Sequence, residues 1–305
     1  MGDYRPRLPV RAPSSHQLIL FLCLDEGGFF NRVRRPDAAR NDDVVFDALA
    51  RLHAHGCLIA SEVLALLRTG HADGANARWR ALHETAVAAT FIAKHGAATA
   101  ERFLLHDGVK SYEDSAVYQE HCERLGYEAF TDAEMLAMSN RYKALLAKFG
   151  DDYRGGYGWA STALRSSDPP HKGSISFVHI EKDVGVPHFQ PYYRMASHAA
   201  HAGAKSIRFS LGLIEPSPLL LAGPSNAGLA DPGQCTAISL ANLTAIFLNH
   251  KLDQQPLEDA AQAVAALMTI QTFVDECCAA FAGADVKLKA DEARIRKQDR
   301  KKQKK

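Results

Sequence analysis

Apolar residues recur at the spacing of an α-helix from about residue 42 onward. Val45, Leu49, Leu52, Ile59 and Val63 follow one another at intervals of three, four and seven residues, which places them on one helix face. No stretch alternates apolar and polar residues for long enough to predict a β-strand. Hydrophobic residues make up 47% of the chain and charged residues 23%, as in globular proteins. The sequence therefore predicts an all-α fold, an irregular bundle of roughly seven to nine helices.

Glycine, proline and charge divide the chain into three segments. We expect an irregular N-terminal arm over 1–41, a helical domain over 42–284 and a basic C-terminal tail over 285–305. Capping residues and breakers set the helix limits. Thr131 or Asp132 opens one helix and Gly150 ends it. The main helices are expected at about 42–70, 75–94, 98–125, 132–149, 174–183, 191–211, 235–252 and 257–282.

Apolar runs and cysteines indicate the compartment. The longest early apolar run, Leu18 to Leu24, has seven residues, whereas a helix that crosses a bilayer needs about 20. The six cysteines form no CxxC pair, a pattern typical of reduced thiols. We therefore expect a cytoplasmic protein that does not contact a membrane.

Two segments carry polar side chains into apolar helices. Arg80 and Glu84 are four residues apart and share a face with Val87 and Phe91. A charge on that apolar side must be paired, because its desolvation costs several kcal/mol.

The second polar segment lies more than a hundred residues later in the chain. Tyr193, Ser197 and His201 form one stripe at i, i+4 and i+8, and Arg194, His198 and His201 form an overlapping one. Facing helices would unite the two segments in one interior polar cluster. The cluster is either a hydrogen-bond network that fixes helix register or a pocket in which His201 titrates and Arg80 binds an anion. The candidate catalytic residues are Arg80, His83, Glu84, Tyr193, Ser197 and His201.

These motifs carry a resemblance to a known family. The pattern Arg80-x-Leu82-x-Glu84, followed by Tyr193-x-x-x-Ser197-x-x-x-His201, resembles a bacterial family catalogued as the domain of unknown function number five-six-seven-seven. The resemblance covers residues 45–215. It implies a helical bacterial protein without an established reaction.

A second, shorter motif overlaps the first. Arg78 and His83, as Arg-x-x-x-x-His, are similar to the motif of HEPN ribonucleases, which implies metal-independent RNA cleavage and a homodimer. Trp79 departs from the polar residue often found after that arginine. On a regular helix Arg78 and His83 would be about 140° apart, so they could converge only through a distorted turn or across a dimer interface.

The C-terminal segment concentrates positive charge. Residues 287–305 hold ten basic and three acidic residues and no aromatic residue. Such a segment is most often a solvated, frayed end, and its residues could also extend the last helix. It would attract nucleic acid through its phosphates and has no platform for base stacking. The candidate RNA-binding residues are Arg294, Arg296, Lys297, Arg300, Lys301 and Lys302.

Three functional hypotheses follow. The first is an RNA-directed stress or phage-defence protein with an RNase-like or nucleotide-binding pocket, no cofactor and no metal. The second is a non-enzymatic binding module whose polar cluster is structural. The third is a metal-dependent enzyme that uses Glu84, His198 and His201 as ligands.

Overall fold

A computed structural model describes residues 14–214 and 220–303. Within these residues every regular element is a helix and no β-strand occurs. The predicted all-α fold is confirmed. The described residues form more α-helices than expected, because the helix predicted over 98–125 is divided in two and the helices Ser14–Arg40 and Ser161–Arg165 were not predicted. The α-helices are α1 (Ser14–Arg40), α2 (Val44–Arg68), α3 (Ala72–His95), α4 (Ala97–Leu105), α5 (Asp107–Leu125), α6 (Asp132–Phe149), α7 (Ser161–Arg165), α8 (Phe177–Asp183), α9 (Gln190–Ala200), α10 (Ala230–Leu248) and α11 (Leu257–Gln303).

The chain forms two compact units. The first comprises residues 14–37, 49–89 and 188–303 as far as they are described, and the second comprises 38–48 and 90–187. In the first unit Ile59 and Val63 of α2 are fully buried, as are Trp79 of α3 and Leu243 of α10. The apolar periodicity that predicted α2 therefore marks its buried face.

The predicted irregular N-terminal arm is wrong for the described residues, because α1 begins at Ser14. Gly27 and Gly28 lie inside the helix, and so does Pro36, which argues against a helix at the sequence level. Packing overrides that preference. A methyl group on Gly27 would lie 2.1 Å from Cε1 of His53, so the glycine lets α1 pack directly against the imidazole ring. Residues 1–13 of the predicted arm lie outside the described residues.

The predicted helix 98–125 is two helices, α4 and α5, which meet at His106. The ring nitrogen Nε2 of His106 bonds the carbonyl oxygens of Tyr153 and Gly155, each at 3.0 Å. One turn earlier, Arg102 donates to the carbonyl oxygens of Gly158 (2.9 Å) and Trp159 (3.2 Å). The two side chains attach the irregular segment after α6 to α4 in the second unit.

The limits predicted for α6 are confirmed. Thr131 caps the helix, its side chain accepting from the backbone N–H of Glu134 while the Glu134 carboxylate accepts from the Thr131 N–H. Gly150 ends the helix with a positive φ of 86°. The Glu134 carboxylate accepts from both the N–H and the hydroxyl of Thr131, and these two hydrogen bonds lower the pKa of Glu134.

The helix predicted over 191–211 ends early, at Ala200. His201 is extended, with φ −122° and ψ 141°. Downstream, the side chain of Asp73 accepts from the Ser210 hydroxyl (2.5 Å) and from the Leu211 N–H (3.0 Å). Because Asp73 at the start of α3 takes these donors, the segment is held as turns rather than as helix.

The last helix is longer than predicted, because α11 runs through 47 residues to Gln303, or about 70 Å. The predicted basic tail is therefore part of a helix. Two helical segments, 44–68 and 257–298, pass a test of length and apolarity for crossing a membrane. The most apolar window of the first is 56% buried and that of the second only 22%.

Candidate functional site

Three side chains from α3 and α9 meet in the first unit. The hydroxyl of Tyr193 donates to Oε1 of Glu84 (2.6 Å) and accepts from Nη2 of Arg80 (3.0 Å). Arg80 and Glu84 also pair directly, at 3.1 Å, and the guanidinium carbon lies 4.9 Å from the Tyr193 ring centroid. This Arg–Glu–Tyr cluster confirms that the two predicted polar segments come together here.

The electrostatics of the cluster keep Tyr193 protonated. Burial raises the pKa of the Tyr193 hydroxyl, its hydrogen bond to the Glu84 carboxylate raises it further, and Arg80 only partly offsets this. The side chains of Arg80 and Glu84 are 26% and 32% exposed, so water reaches the outer side of the cluster. A neutral phenol between two opposite charges serves to join the helices better than it serves as a proton acceptor.

His83 lies beside the cluster, with its ring centroid 6.1 Å from that of Tyr193. The residue is 3% exposed and its ring stacks on Trp79 at a centroid distance of 5.4 Å, with Phe189 at 5.2 Å. Trp79 is itself fixed by a hydrogen bond from Nε1 to the Ser239 hydroxyl, at 3.0 Å. The imidazole is therefore enclosed by aromatic rings.

Ser197 and His201 do not complete the predicted stripe. The Ser197 hydroxyl donates to the Tyr193 carbonyl one turn back (2.8 Å), a local bond within α9. His201 lies beyond the end of the helix and is exposed, so its predicted place at i+8 is wrong. Of the six candidate residues, Arg80, Glu84 and Tyr193 bond to one another.

The structure does not bring Arg78 and His83 to one open position. Nε of Arg78 bonds Oε2 of Glu62 on α2, whereas His83 faces the aromatic rings. The arrangement that the ribonuclease resemblance requires is absent from this copy of the chain.

The proposed metal ligands are also apart. His198 and His201 are exposed, and Glu84 is paired with Arg80. Among residues 14–214 and 220–303, no group of three or more His, Cys, Asp or Glu side chains could hold a metal ion. The hypothesis of a metal site on Glu84, His198 and His201 is therefore not supported.

The candidate RNA-binding residues lie on the distal part of α11. Arg294, Arg296, Lys297 and Lys301 are exposed. Arg300 and Lys302 belong to the helix, but their side chains lie outside those described. Beyond Phe281 no described side chain of α11 is buried, so this basic part of the helix is open to solvent.

Sequence reasoning missed the surroundings of the cluster. Phe189 and Ser239 hold His83 and Trp79 from distant parts of the chain, and Glu62 binds Arg78. Of these partners, Glu62 is the residue that the sequence could have indicated, because it is the single acidic residue in the mostly apolar second half of α2.

Fold and site together define an all-α protein with a closed Arg–Glu–Tyr cluster joining two helices. The model of a family described as "Family of unknown function (DUF5677)" matches residues 46–216, more than half of the chain, and the protein belongs to this family. The match contains both segments of the cluster, whereas α11 lies outside it. No curated protein and no solved structure matches the chain.

The structural role of the cluster makes a testable prediction. Tyr193→Phe should lower the free energy of unfolding by about 1 kcal/mol, the usual net contribution of one hydrogen-bonding group, because the outer side of the Arg80–Glu84 pair can still use water. Urea unfolding measures this value. Tyr192→Phe is the matched control, because Tyr192 is 38% exposed and should change stability by less than about 0.5 kcal/mol. Equal losses in the two variants would contradict the role of the cluster.

Proposed function

We propose that the protein binds RNA through the basic distal part of α11 and that the Arg–Glu–Tyr cluster has no part in RNA cleavage. The observation that carries the proposal is the continuation of α11 beyond its last buried residue, Phe281. A basic segment that is helical presents its charges in a fixed pattern, whereas a frayed tail does not.

Most basic residues of this helix lie on one side, with Lys302 the exception. At about 100° per residue, Lys287, Lys289, Arg294, Arg296, Lys297 and Lys301 fall within about 180° of the circumference. Leu288, Glu292 and Ile295 fall on the opposite side. Cations of this side have carboxylate neighbours on the helix, among them Lys289 with Asp285 (2.6 Å) and Arg294 with Asp291 (3.2 Å). These exposed pairs contribute little to stability, so phosphate groups can compete for the cations.

The chemistry of this surface matches a phosphate backbone rather than bases. Residues 287–305 contain no aromatic residue, so stacking on bases is not available. We therefore expect binding that depends little on sequence and strongly on salt. A role in stress or phage defence would follow from the RNA that is bound, and a cytoplasmic location fits that role.

The test is fluorescence anisotropy with a labelled RNA duplex across a range of salt concentrations. Replacing Arg294, Arg296, Lys297 and Lys301 by glutamine should weaken binding by about tenfold or more and should lower the slope of log K against log salt by about three to four. The matched control replaces four exposed lysines outside α11, Lys143, Lys172, Lys182 and Lys205, and should leave most of the affinity intact. Equal losses in the two variants, or no binding by the wild type, would overturn the proposal.

The same samples test cleavage. The RNA should remain intact during incubation, because His83 is enclosed by aromatic rings and Arg78 is bound to Glu62. Cleavage by the wild type that His83→Ala abolishes would instead favour the ribonuclease hypothesis.

A second candidate function is a non-enzymatic interaction module without RNA. It is favoured by the hydrogen bonding within the cluster. The Tyr193 hydroxyl bonds both Arg80 and Glu84, so these three side chains satisfy one another. Retention of a protein partner by the variant that no longer binds RNA would support this candidate.

A further inference from the structure

An apolar stripe runs along the solvent side of α11. Leu257, Val264, Met268 and Val286 are 84%, 46%, 68% and 68% exposed. Alanines at positions 261, 265, 279 and 282 lie on the same side and are exposed. This stripe spans 30 residues, about 44 Å of helix. Exposed apolar surface of this extent marks an interaction site.

The stripe is independent of the basic part of the helix. It covers residues 257–286, whereas the proposed RNA contacts begin at Arg294. Alanines on either side of its middle allow another helix to approach closely, the middle itself carries Met268, Thr272 and Asp275, and the ends carry the larger side chains of Leu257 and Val286. We propose that the occupant of this stripe is the same stripe of a second copy, in an antiparallel homodimer.

An antiparallel pair centred between Gln271 and Thr272 makes the stripe complementary to itself. Two-fold symmetry requires that each copy offer the same patch. In this register the bulky end of one copy meets the bulky end of the other, alanines meet further in, and Met268 lies opposite Asp275 on each side of the axis. The opposed positions are Leu257 with Val286, Ala261 with Ala282, and Val264 with Ala279.

Charge also favours the antiparallel direction. Glu258 lies at the start of the stripe and Lys287 at its end, so the antiparallel register brings each Glu258 within one helical turn of Lys287 in the other copy. Asp285, near the same end, already pairs with Lys289 at 2.6 Å. The carboxylate in the middle of the stripe, Asp275, accepts from the Gln271 amide at 2.9 Å. A parallel pair would place like charges together at both ends.

The size of the stripe predicts a reversible dimer. A strip about 44 Å long on a helix about 10 Å wide covers on the order of 440 Å² per copy, and interfaces of about 900 Å² in total belong to weak, transient complexes. The oligomeric state must therefore be measured over a range of protein concentrations.

Light scattering of the full chain after size exclusion, up to about 200 μM, tests the interface. The wild type should shift from monomer to dimer. Val264→Glu/Met268→Glu should stay monomeric, because it would place a carboxylate at 268 opposite Asp275 of the other copy and a second one, without a partner, opposite Ala279. Thr269→Glu is the matched control, on an exposed neighbour outside the stripe, and should still dimerise. A wild type that stays monomeric, or a dimer that survives the double substitution, would overturn the proposal.

Disulfide trapping tests the register. Thr272→Cys should crosslink to its own copy beside the two-fold axis, beyond the background that Cys278 gives in the wild type. Val264→Cys should not, because the antiparallel register separates the two copies of residue 264 by about 22 Å. Crosslinking of Val264→Cys alone would overturn the antiparallel dimer. Binding of phosphatidylcholine vesicles that Val264→Glu/Met268→Glu abolishes would assign the stripe to lipid and would also overturn it.

Discussion

Replacing Arg102 by methionine is expected to lower the free energy of unfolding of the second unit by about 3 kcal/mol. Arg102 is 7% exposed and lies against the rings of Phe149 and Tyr153, each with its centroid 4.9 Å from the guanidinium carbon. Methionine keeps much of the stem but removes the donors to the carbonyl oxygen of Trp159 and to the Ser161 hydroxyl, and it leaves the Gly158 carbonyl oxygen with the bond from Ser161 alone. Urea unfolding followed by tryptophan fluorescence measures the loss.

A matched control separates this effect from the general loss of an arginine. Arg165→Met removes an arginine of the same unit that pairs with Asp152 at 2.9 Å on the surface, and such pairs contribute less than about 1 kcal/mol. Arg102→Lys should fall between the two, because lysine restores the charge but not the forked geometry. If Arg102→Met costs no more than Arg165→Met, Arg102 does not organise this segment.

Acid should destabilise the first unit through two buried histidines. Burial lowers the pKa of both His16 and His53 to about 4, and the charge of Arg68 contributes to the shift of His16. Neither ring nitrogen of His16 has a hydrogen-bond partner in the described part of the chain. The unfolded chain takes up these protons near pH 6.5, whereas the folded chain does not take them up until about pH 4.

The sign of the effect follows from these two pKa values. The stability that each neutral histidine contributes is fully present above pH 6.5 and is lost as the pH falls from there towards 4. Each should cost about 2 kcal/mol by pH 5, where most carboxylates are still ionised. Denaturant unfolding at pH 7.5 and at pH 5 measures the difference.

Variants assign this loss to individual histidines. His53→Phe keeps an aromatic ring beside Phe247 but gives up the bond between Nε2 and the Thr244 hydroxyl (3.0 Å), so it should be less stable at pH 7.5. Its loss between pH 7.5 and pH 5 should nevertheless be about 2 kcal/mol smaller than that of the wild type. His55→Gln, an exposed histidine on the same helix, should keep the full loss. An unchanged pH dependence in His53→Phe would refute the assignment.

The features that sequence predicted correctly depend on local spacing. Arg80 and Glu84 share a face because they are four residues apart, and the distant Tyr193 could be joined to them because each polar side chain lay on an apolar helix. Thr131 and Gly150 limit α6 through interactions within a few residues. Such patterns can be predicted because the positions of these residues are set by the geometry of the helix that contains them.

The features that sequence missed depend on partners far along the chain. The helix ends before His201, and Ser210 and Leu211 in the turns that follow are held by Asp73, which lies 137 and 138 residues earlier in the chain. The role of Arg102 could not be predicted, because two of its partners are backbone carbonyl oxygens, and every residue type has a backbone carbonyl. Likewise, α1 forms despite its glycines because Gly27 packs on a ring 26 residues later.

Because Gly27 packs closely on His53, α1 excludes solvent from that imidazole. Because α1 packs so closely on the ring, any displacement of the helix would expose the imidazole to water. Its proton affinity would then return towards that of a free histidine. Damage to the N-terminal helix and mild acidification would then reinforce each other in opening the protein.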